Sequence, residues 1–352
     1  ISVLMTLSDF APAIAAMAKT PDGLRHIITV GAGDFLGAPD ITPSARDGVT
    51  AHTYQSLVAE RSADFAQVDI NPDDTFMIQY TGGTTGKPKG AEISHKTLML
   101  NPVQVAAMDP AYDLYDERFA SAFPFFHIAG LTFIVGAIIF GAQSLLLPNP
   151  RDIDHFVAQL KAVPPTRLGA VPALYDMLLA HPEFATVDFS GLKTAKSGAA
   201  PLTRTTYNAL SAVIGEGKFA DVFGMTETGP CYINHPIARY KIGSVGIPMP
   251  GADVRIMDVE TGTIEMPLGE VGEIVTSGPQ LMTGYLGLPD ESARALRDID
   301  GVRHGAWGGT SGVRKAVGPR KGMPGVTPGV MSGVMSGVMP GVMPGAMLLG
   351  AG

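Results

Sequence analysis

One cysteine stands in the 352-residue chain, Cys231, so no internal disulfide can form and a disulfide-stapled secreted scaffold is excluded. A reducing, cytoplasmic setting is expected from that scarcity. Tryptophan also occurs once, and charged side chains make up only 16% of the residues. Hydrophobic residues reach 45%, enough to bury a large core, which excludes wholesale disorder. The net charge of −8 lacks the basic excess of a nucleic-acid footprint, so no nucleic-acid partner is expected. No secretory leader is read, because the first lysine, Lys19, follows the apolar opening instead of preceding it. The first residue is Ile1 and not Met, which places the expected start upstream. The length allows about two domains.

Two further absences divide the chain. From Gly301 onward there is no acid, only Arg303, Arg314, Lys315, Arg320 and Lys321. Glycine then recurs every fourth position from Gly325 to Gly345, a period that is neither collagen's three nor a heptad. Ordering so much glycine costs entropy that scattered Val and Met cannot offset, so residues 304–352 read as a disordered low-complexity tail. The second absence runs from Phe119 to Pro150, which holds no Asp, Glu, Lys or Arg. It is long enough to span a bilayer, and an integral membrane protein is one reading of it. Pro124, His127, Gln143 and three glycines interrupt the run, and a buried helix over 128–140 followed by a strand over 144–147 accounts for it better. No transmembrane span is therefore expected, and peripheral membrane contact stays open.

Over residues 1–300 strand and helix signals alternate. Residues 24–30 (LRHIITV) and 75–80 (TFMIQY) read as strands entering Gly-rich turns. Ser94 is a helix N-cap candidate for a helix through Leu100, and Ile153, Phe156, Val157 and Leu160 fall on one helical face. Short strands are predicted at 167–170, 193–197 and 219–223, with helices starting near Pro172 and Leu202. This alternation predicts an α/β layered fold. After Tyr240 the pattern turns β-rich, with strands expected at 254–258 and 273–277.

The densest chemical signal is Tyr80-Thr81-Gly82-Gly83-Thr84-Thr85-Gly86-Lys87-Pro88-Lys89-Gly90. Backbone N–H groups and hydroxyls after an apolar strand can close around phosphate oxygens, with two lysines to neutralise them. It is not a Walker A loop: Thr81 stands at the first Gly position and Pro88 replaces the metal-binding hydroxyl. A flexible Gly/Thr turn is the bland alternative, which the Lys-Pro-Lys-Gly ending disfavours.

On these residues the chain resembles the adenylate-forming acyl-CoA synthetases, or AMP-binding enzymes, most like the long-chain fatty-acyl-CoA ligases. Four further stretches follow in that family's order: Phe123-Pro-Phe-Phe-His127, Ser197-Gly198-Ala199-Ala200-Pro201-Leu202, Phe223-Gly224-Met225-Thr226-Glu227-Thr228, and Gly272-Glu273-Ile274 through Gly284-Tyr285. The resemblance implies a layered αβαβα large domain over 1–303, β-rich at 240–290. It implies an acid–thiol ligase that uses ATP, Mg²⁺ and CoA to activate a small carboxylic acid, most fittingly a fatty acid. By the same resemblance Thr81, Gly82, Gly83, Thr84, Thr85, Gly86, Lys87 and Lys89 cradle phosphates, while Gly198, Ala199, Ala200, Phe223, Gly224 and Met225 surround the nucleotide. Thr226 meets a phosphate oxygen and Glu227 takes Mg²⁺. His127 positions the substrate carboxylate, although a lone His in an apolar run is more often a core residue. Cys231 has no partner that would form a nucleophile signature and is read as packing.

The departures matter too. After Arg303 the family pattern would reach a Thr-Gly-Asp string, but the chain reads His304-Gly-Ala-Trp-Gly-Gly-Thr-Ser. The ribose-binding Asp, the hinge and the C-terminal lysine of the family find no match. A reading frame shifted after Arg303 is expected to encode them, and this polypeptide is expected to be inactive. The alternatives are a non-catalytic nucleotide- or acyl-binding remnant and an adenylate-forming ligase with an acceptor other than CoA.

Overall fold

The computed structural model describes residues 2–16, 21–31, 48–62, 64, 66–82, 87–109, 111–236, 239–241 and 243–306. In chain order the elements begin with β1 (Val3–Leu7), α1 (Ala11–Ala15), β2 (His26–Val30), β3 (Thr50–Thr53) and α2 (Tyr54–Ala59). There follow β4 (Thr75–Thr81), β5 (Lys89–Ser94), α3 (His95–Ala107), β6 (Arg118–Ser121), α4 (Ile128–Phe140) and β7 (Gln143–Leu145). Next come α5 (Ile153–Ala162), β8 (Arg167–Ala170), α6 (Pro172–Ala180), β9 (Thr194–Ser197), α7 (Arg204–Ile214) and β10 (Phe219–Asp221). The last are β11 (Phe223–Gly224), β12 (Cys231–Asn234), β13 (Ile247–Pro248), β14 (Asp253–Met257), β15 (Glu273–Ser277), β16 (Gly284–Tyr285), α8 (Pro289–Ala295), β17 (Leu296–Ile299) and β18 (Val302–Ala306).

Where the sequence reads one partial domain over 1–303, contacts divide the chain after Val68 into two compact units. In the first, β1, β2 and β3 form a parallel three-stranded sheet over a small core of Leu24, Ile27 and Val49. The second unit is built on a parallel five-stranded sheet in the order β10-β9-β8-β6-β7. Side chains alternate across its strands. Leu168, Ala170 and Ala195 face a core with Phe156 and Leu160 of α5, Tyr175 of α6, Leu210 of α7 and Phe219 of β10. The opposite face carries Phe119, Arg167, Gly169, Thr194 and Lys196, with Phe133 of α4 lying over Gly169.

The uncharged run folds as expected from its interruptions. His127 caps the thirteen-residue α4, and Gly141 ends it in the left-handed region at φ 62°. Among the described residues no helix is long and apolar enough to cross a membrane. Helix α3 runs seven residues past its expected end at Leu100, straight through Pro102. Pro102 is buried against Gly136 of α4, so packing outweighs the lost backbone hydrogen bond. The predicted strand at 219–223 is broken at Val222, with β10 in the central sheet and β11 in a separate antiparallel sheet with β12 and β13.

The β-rich part is also distributed differently from a block at 240–290. Strands β14, β15, β18 and β17 form one antiparallel sheet reaching to Ala306, whereas β13 pairs back to β12 and β16 to β5. Strand β18 buries His304 and Ala306 and so runs three residues beyond the boundary expected at 303. The rest of the expected tail, from 307, lies outside the described residues.

Candidate active site

In the second unit a cleft of about 2690 Å³ opens beside the C-terminal ends of the central strands. Thr81, Gly82, Lys89, His127, Gly198, Ala199, Ala200, Phe223, Gly224, Met225, Thr226 and Glu227 all line it. Lys87 is exposed and is not part of the wall. Gly83, Thr84, Thr85 and Gly86 lie outside the described residues.

The described residues on either side of the phosphate-loop candidate lie on paired strands. Strands β4 and β5 are antiparallel, with Tyr80 opposite Gly90 and Thr81 opposite Lys89. A Walker A loop instead leads from a strand into a helix N-terminus. Lys89 opens β5 and is mostly buried. Its Nζ is 2.6 Å from Glu291 Oε2 on α8 and 5.4 Å from the centre of the Tyr285 ring. The Tyr285 hydroxyl in turn donates to Glu227 Oε1 at 2.8 Å. Three motifs, and Glu291 at 202 residues from Lys89, are thus tied side chain to side chain.

The turn carrying Glu227 is set by its neighbours. Strand β11 leads into a single 3₁₀ turn over Thr226–Thr228, closed by Gly229 at φ 68°. The fully buried Thr228 hydroxyl accepts from the Met225 N–H at 2.9 Å and lies 2.8 Å from the Pro230 carbonyl. A Cβ at Gly224 would collide with the Pro230 backbone, so glycine is required there. Glu227 is buried, and its Oε2 has no donor among the described residues. No cluster of three or more His, Cys, Asp or Glu able to hold a metal occurs among the described residues. A single carboxylate fits Mg²⁺, which is commonly held by one or two carboxylates together with substrate phosphates and water.

Across the cleft, Gly198–Ala200 follow β9, and Ala199 holds φ 68°, a left-handed conformation costing an L-residue about 1–2 kcal/mol. Phe223 packs its ring edge-to-face on Tyr232 at 5.5 Å while remaining on the cleft wall. His127 lines the cleft and also caps α4 through its ring. Its Nδ1 accepts from the Ala129 N–H at 3.2 Å, which leaves the proton of the neutral ring on Nε2. Burial in the cleft lowers its pKa, favouring that neutral form.

Sequence reasoning misses Asp221, although an acid closing an apolar strand just before Phe-Gly-Met-Thr-Glu is a visible signal. Asp221 lies on the cleft wall opposite Ser197 in register, and its buried Oδ1 has no hydrogen-bond partner among the described residues. It also misses Glu291, for which no local pattern exists. Cys231 is buried, and burial pushes its thiol up to about 11, in keeping with a packing role.

The AMP-binding enzyme family profile matches residues 2–286, most of the chain. The chain belongs to the AMP-binding enzyme family. It is 32% identical over 317 residues to a long-chain-fatty-acid–CoA ligase of Bacillus subtilis and 35% identical over 316 residues to one of Yersinia pestis. These alignments cover 85% and 84% of this chain and 55% of either relative, so the chain spans about half the length of the curated relatives it matches. The fold matches the crystal structure of apo MatB from Rhodopseudomonas palustris with a TM-score of 0.69 at 27% identity, covering 87% of this chain and 58% of that one. The architecture is therefore the α/β fold of the adenylate-forming enzymes, as the motifs implied.

Proposed function

We propose that this chain carries the nucleotide and acyl sites of an ATP-dependent fatty-acid–CoA ligase, which joins a carboxylic acid to AMP and then to the CoA thiol. The observation that carries the reading is the convergence of five motifs, far apart in sequence, on one cleft. Thr81, Gly82 and Lys89, together with the loop that joins β4 to β5, would receive the β- and γ-phosphates. Phe223 and the Gly198–Ala200 backbone would flank the flat adenine ring. Asp221 would accept the adenine amino hydrogen through its unpartnered oxygen.

The acid would enter between α3 and α4, where Pro102, Val105 and Phe133 provide apolar walls. His127 would present its Nε2–H to the substrate carboxylate and so orient it toward the α-phosphate. Glu227, held by Tyr285, would ligate Mg²⁺, which when bound neutralises charge on the phosphates. Thr226 beside it would donate to a phosphate oxygen. Lys89 must leave Glu291 to meet phosphate.

The departure from the family pattern after Arg303 favours a second reading, a nucleotide- and acyl-binding remnant without turnover. The lysine the family uses where negative charge builds has no match, and one such contact is worth roughly 10²–10³-fold in rate. For the 352-residue polypeptide by itself we expect ATP binding and negligible acyl-CoA formation. Calorimetric titration with ATP and Mg²⁺, followed by an assay of acid-dependent pyrophosphate release, tests both statements. Absence of ATP binding by the folded wild-type chain refutes the nucleotide assignment. Acyl-CoA turnover above ~1 s⁻¹, typical of enzymes, refutes the remnant reading.

A further inference from the structure

The inner wall of the cleft holds a positive charge that the reaction just described does not use. Lys196 stands on β9, on the sheet face shared with Arg167 and Thr194. Among polar side chains its Nζ has one partner, Asn234 Oδ1 at 3.0 Å, and no carboxylate pairs with it among the described residues. Arg167 cannot be called uncompensated in the same way, because its guanidinium is clasped by Asp109 and, at 3.0 Å, by Glu117. That arrangement also commits the carboxylate of Asp109, the one acid close enough to influence Lys196. The nearby Cys231 thiol is neutral at physiological pH. Burial draws the Lys196 ammonium from 10.5 down to about 8, so it is still mostly charged near neutrality.

Asn234 adds a second donor. It is fully buried, and its Oδ1 accepts from both Lys196 Nζ and the His235 N–H at 2.9 Å, which fixes the orientation of the amide. Its Nδ2 is left buried with no partner among the described residues. Arg167 Nε is likewise buried and without a partner among the described residues. Lys196, Asn234 and Arg167 line the same cleft as Pro102, Val105 and Phe133. Unmade hydrogen bonds of buried donors and an uncompensated, partly buried cation are both costly. A ligand bringing a negatively charged acceptor removes both costs at once.

We propose that Lys196 and Asn234 form a recognition site for a second carboxylate, so that the acid bound in this cleft is a dicarboxylic acid with an apolar middle. This rests on the reading of the cleft as the acyl site of an adenylate-forming ligase. One carboxylate faces His127 and the phosphate side, and the other meets the Lys196 ammonium and the Asn234 amide. A plain fatty acid of the same length would leave the charge of Lys196 buried against methyl groups.

The test titrates the folded 352-residue chain with straight-chain α,ω-dicarboxylates and with monocarboxylates of the same carbon number, and with ATP and Mg²⁺ in a parallel arm. At least one dicarboxylate is expected to bind about tenfold or more tighter than its monocarboxylate counterpart, the scale of a charge-assisted hydrogen bond. Lys196→Met keeps the length of the side chain and should abolish that preference while leaving ATP affinity unchanged. Equal or weaker binding of every dicarboxylate by the wild-type chain overturns the proposal, as does a preference that survives Lys196→Met. If ATP binds and the preference is missing, the second-carboxylate site falls and the ligase reading stands. If the preference is present and ATP does not bind, the site stands and the ligase reading falls. Should Lys196→Met fail to fold, the two acid series on the wild-type chain decide alone.

Discussion

Replacing Asp221 with Asn should stabilise this protein at neutral pH, an unusual outcome for a change at a ligand site. Asp221 closes β10 inside the cleft wall, and burial pushes its carboxyl from 3.8 up to about 6, with only the neighbouring Ser197 side chain drawing it back. The folded chain thus holds this proton more tightly than the unfolded chain does. The resulting stabilisation is fully present below pH 3.8 and is lost as the pH rises through about 6. At pH 7.5 the ionised group disfavours the fold by ~3 kcal/mol for a shift of that size, which water in the cleft reduces to about 1–2 kcal/mol. Asn carries no charge, so Asp221→Asn should gain about 1–2 kcal/mol in urea unfolding at pH 7.5 and only about a third of that at pH 4.5. A loss at pH 7.5, or an equal gain at both pH values, would refute the reasoning. The same variant separates charge from hydrogen bonding in nucleotide recognition. Asn retains an acceptor for the adenine amine, so ATP affinity should stay within about twofold, whereas Asp221→Leu should weaken it about tenfold.

Other contacts give sharper single outcomes. Glu291→Gln removes the carboxylate that competes with phosphate for Lys89 and should tighten ATP binding about two- to fivefold, measured by calorimetry, since half-exposed ion pairs are weak. Lys89→Ala should instead weaken ATP binding about tenfold or more in the same assay. Arg167→Leu leaves Asp109 and Glu117 buried without their shared cation and should cost about 3–5 kcal/mol in urea unfolding. Thr228→Val removes a fully buried hydroxyl that holds the Glu227 turn and should cost about 1–3 kcal/mol by the same measurement, with weaker ATP binding.

Much of the framework is legible in the sequence because its signals are local. Strand β8 can be read at its observed limits, since Pro164 and Pro165 precede it and Pro172 begins the next helix. Helix α4 is bounded by His127 and Gly141, whose capping roles depend on one turn of backbone. Helix α3 shows where local reasoning stops. Pro102 counts against a helix in isolation, and what offsets its cost is the surface of α4, distant in sequence but packed against it. The break at Val222 has the same character, because an apolar run gives no sign that its two halves belong to different sheets.

The site divides along the same line. Cleft-lining residues that sit in short motifs, such as Thr81 or Glu227, can be named from the string that contains them. Residues that act by charge balance cannot, because balance is a property of the packed neighbourhood. Lys89 reads as a free cation until α8 brings Glu291 to it. Lys196 reads as one more strand lysine in Thr-Ala-Lys-Ser until the register of β8 and β9 places it on the face of Arg167, whose two acids are already engaged. The first lysine has a counter-ion that phosphate must displace, and the second has none among the described residues. A cleft lined by one paired and one unpaired cation is suited to two anionic groups. That asymmetry also fixes the order of effects expected on titration: an anion at Lys196 meets an uncompensated charge, while one at Lys89 must first exchange with Glu291.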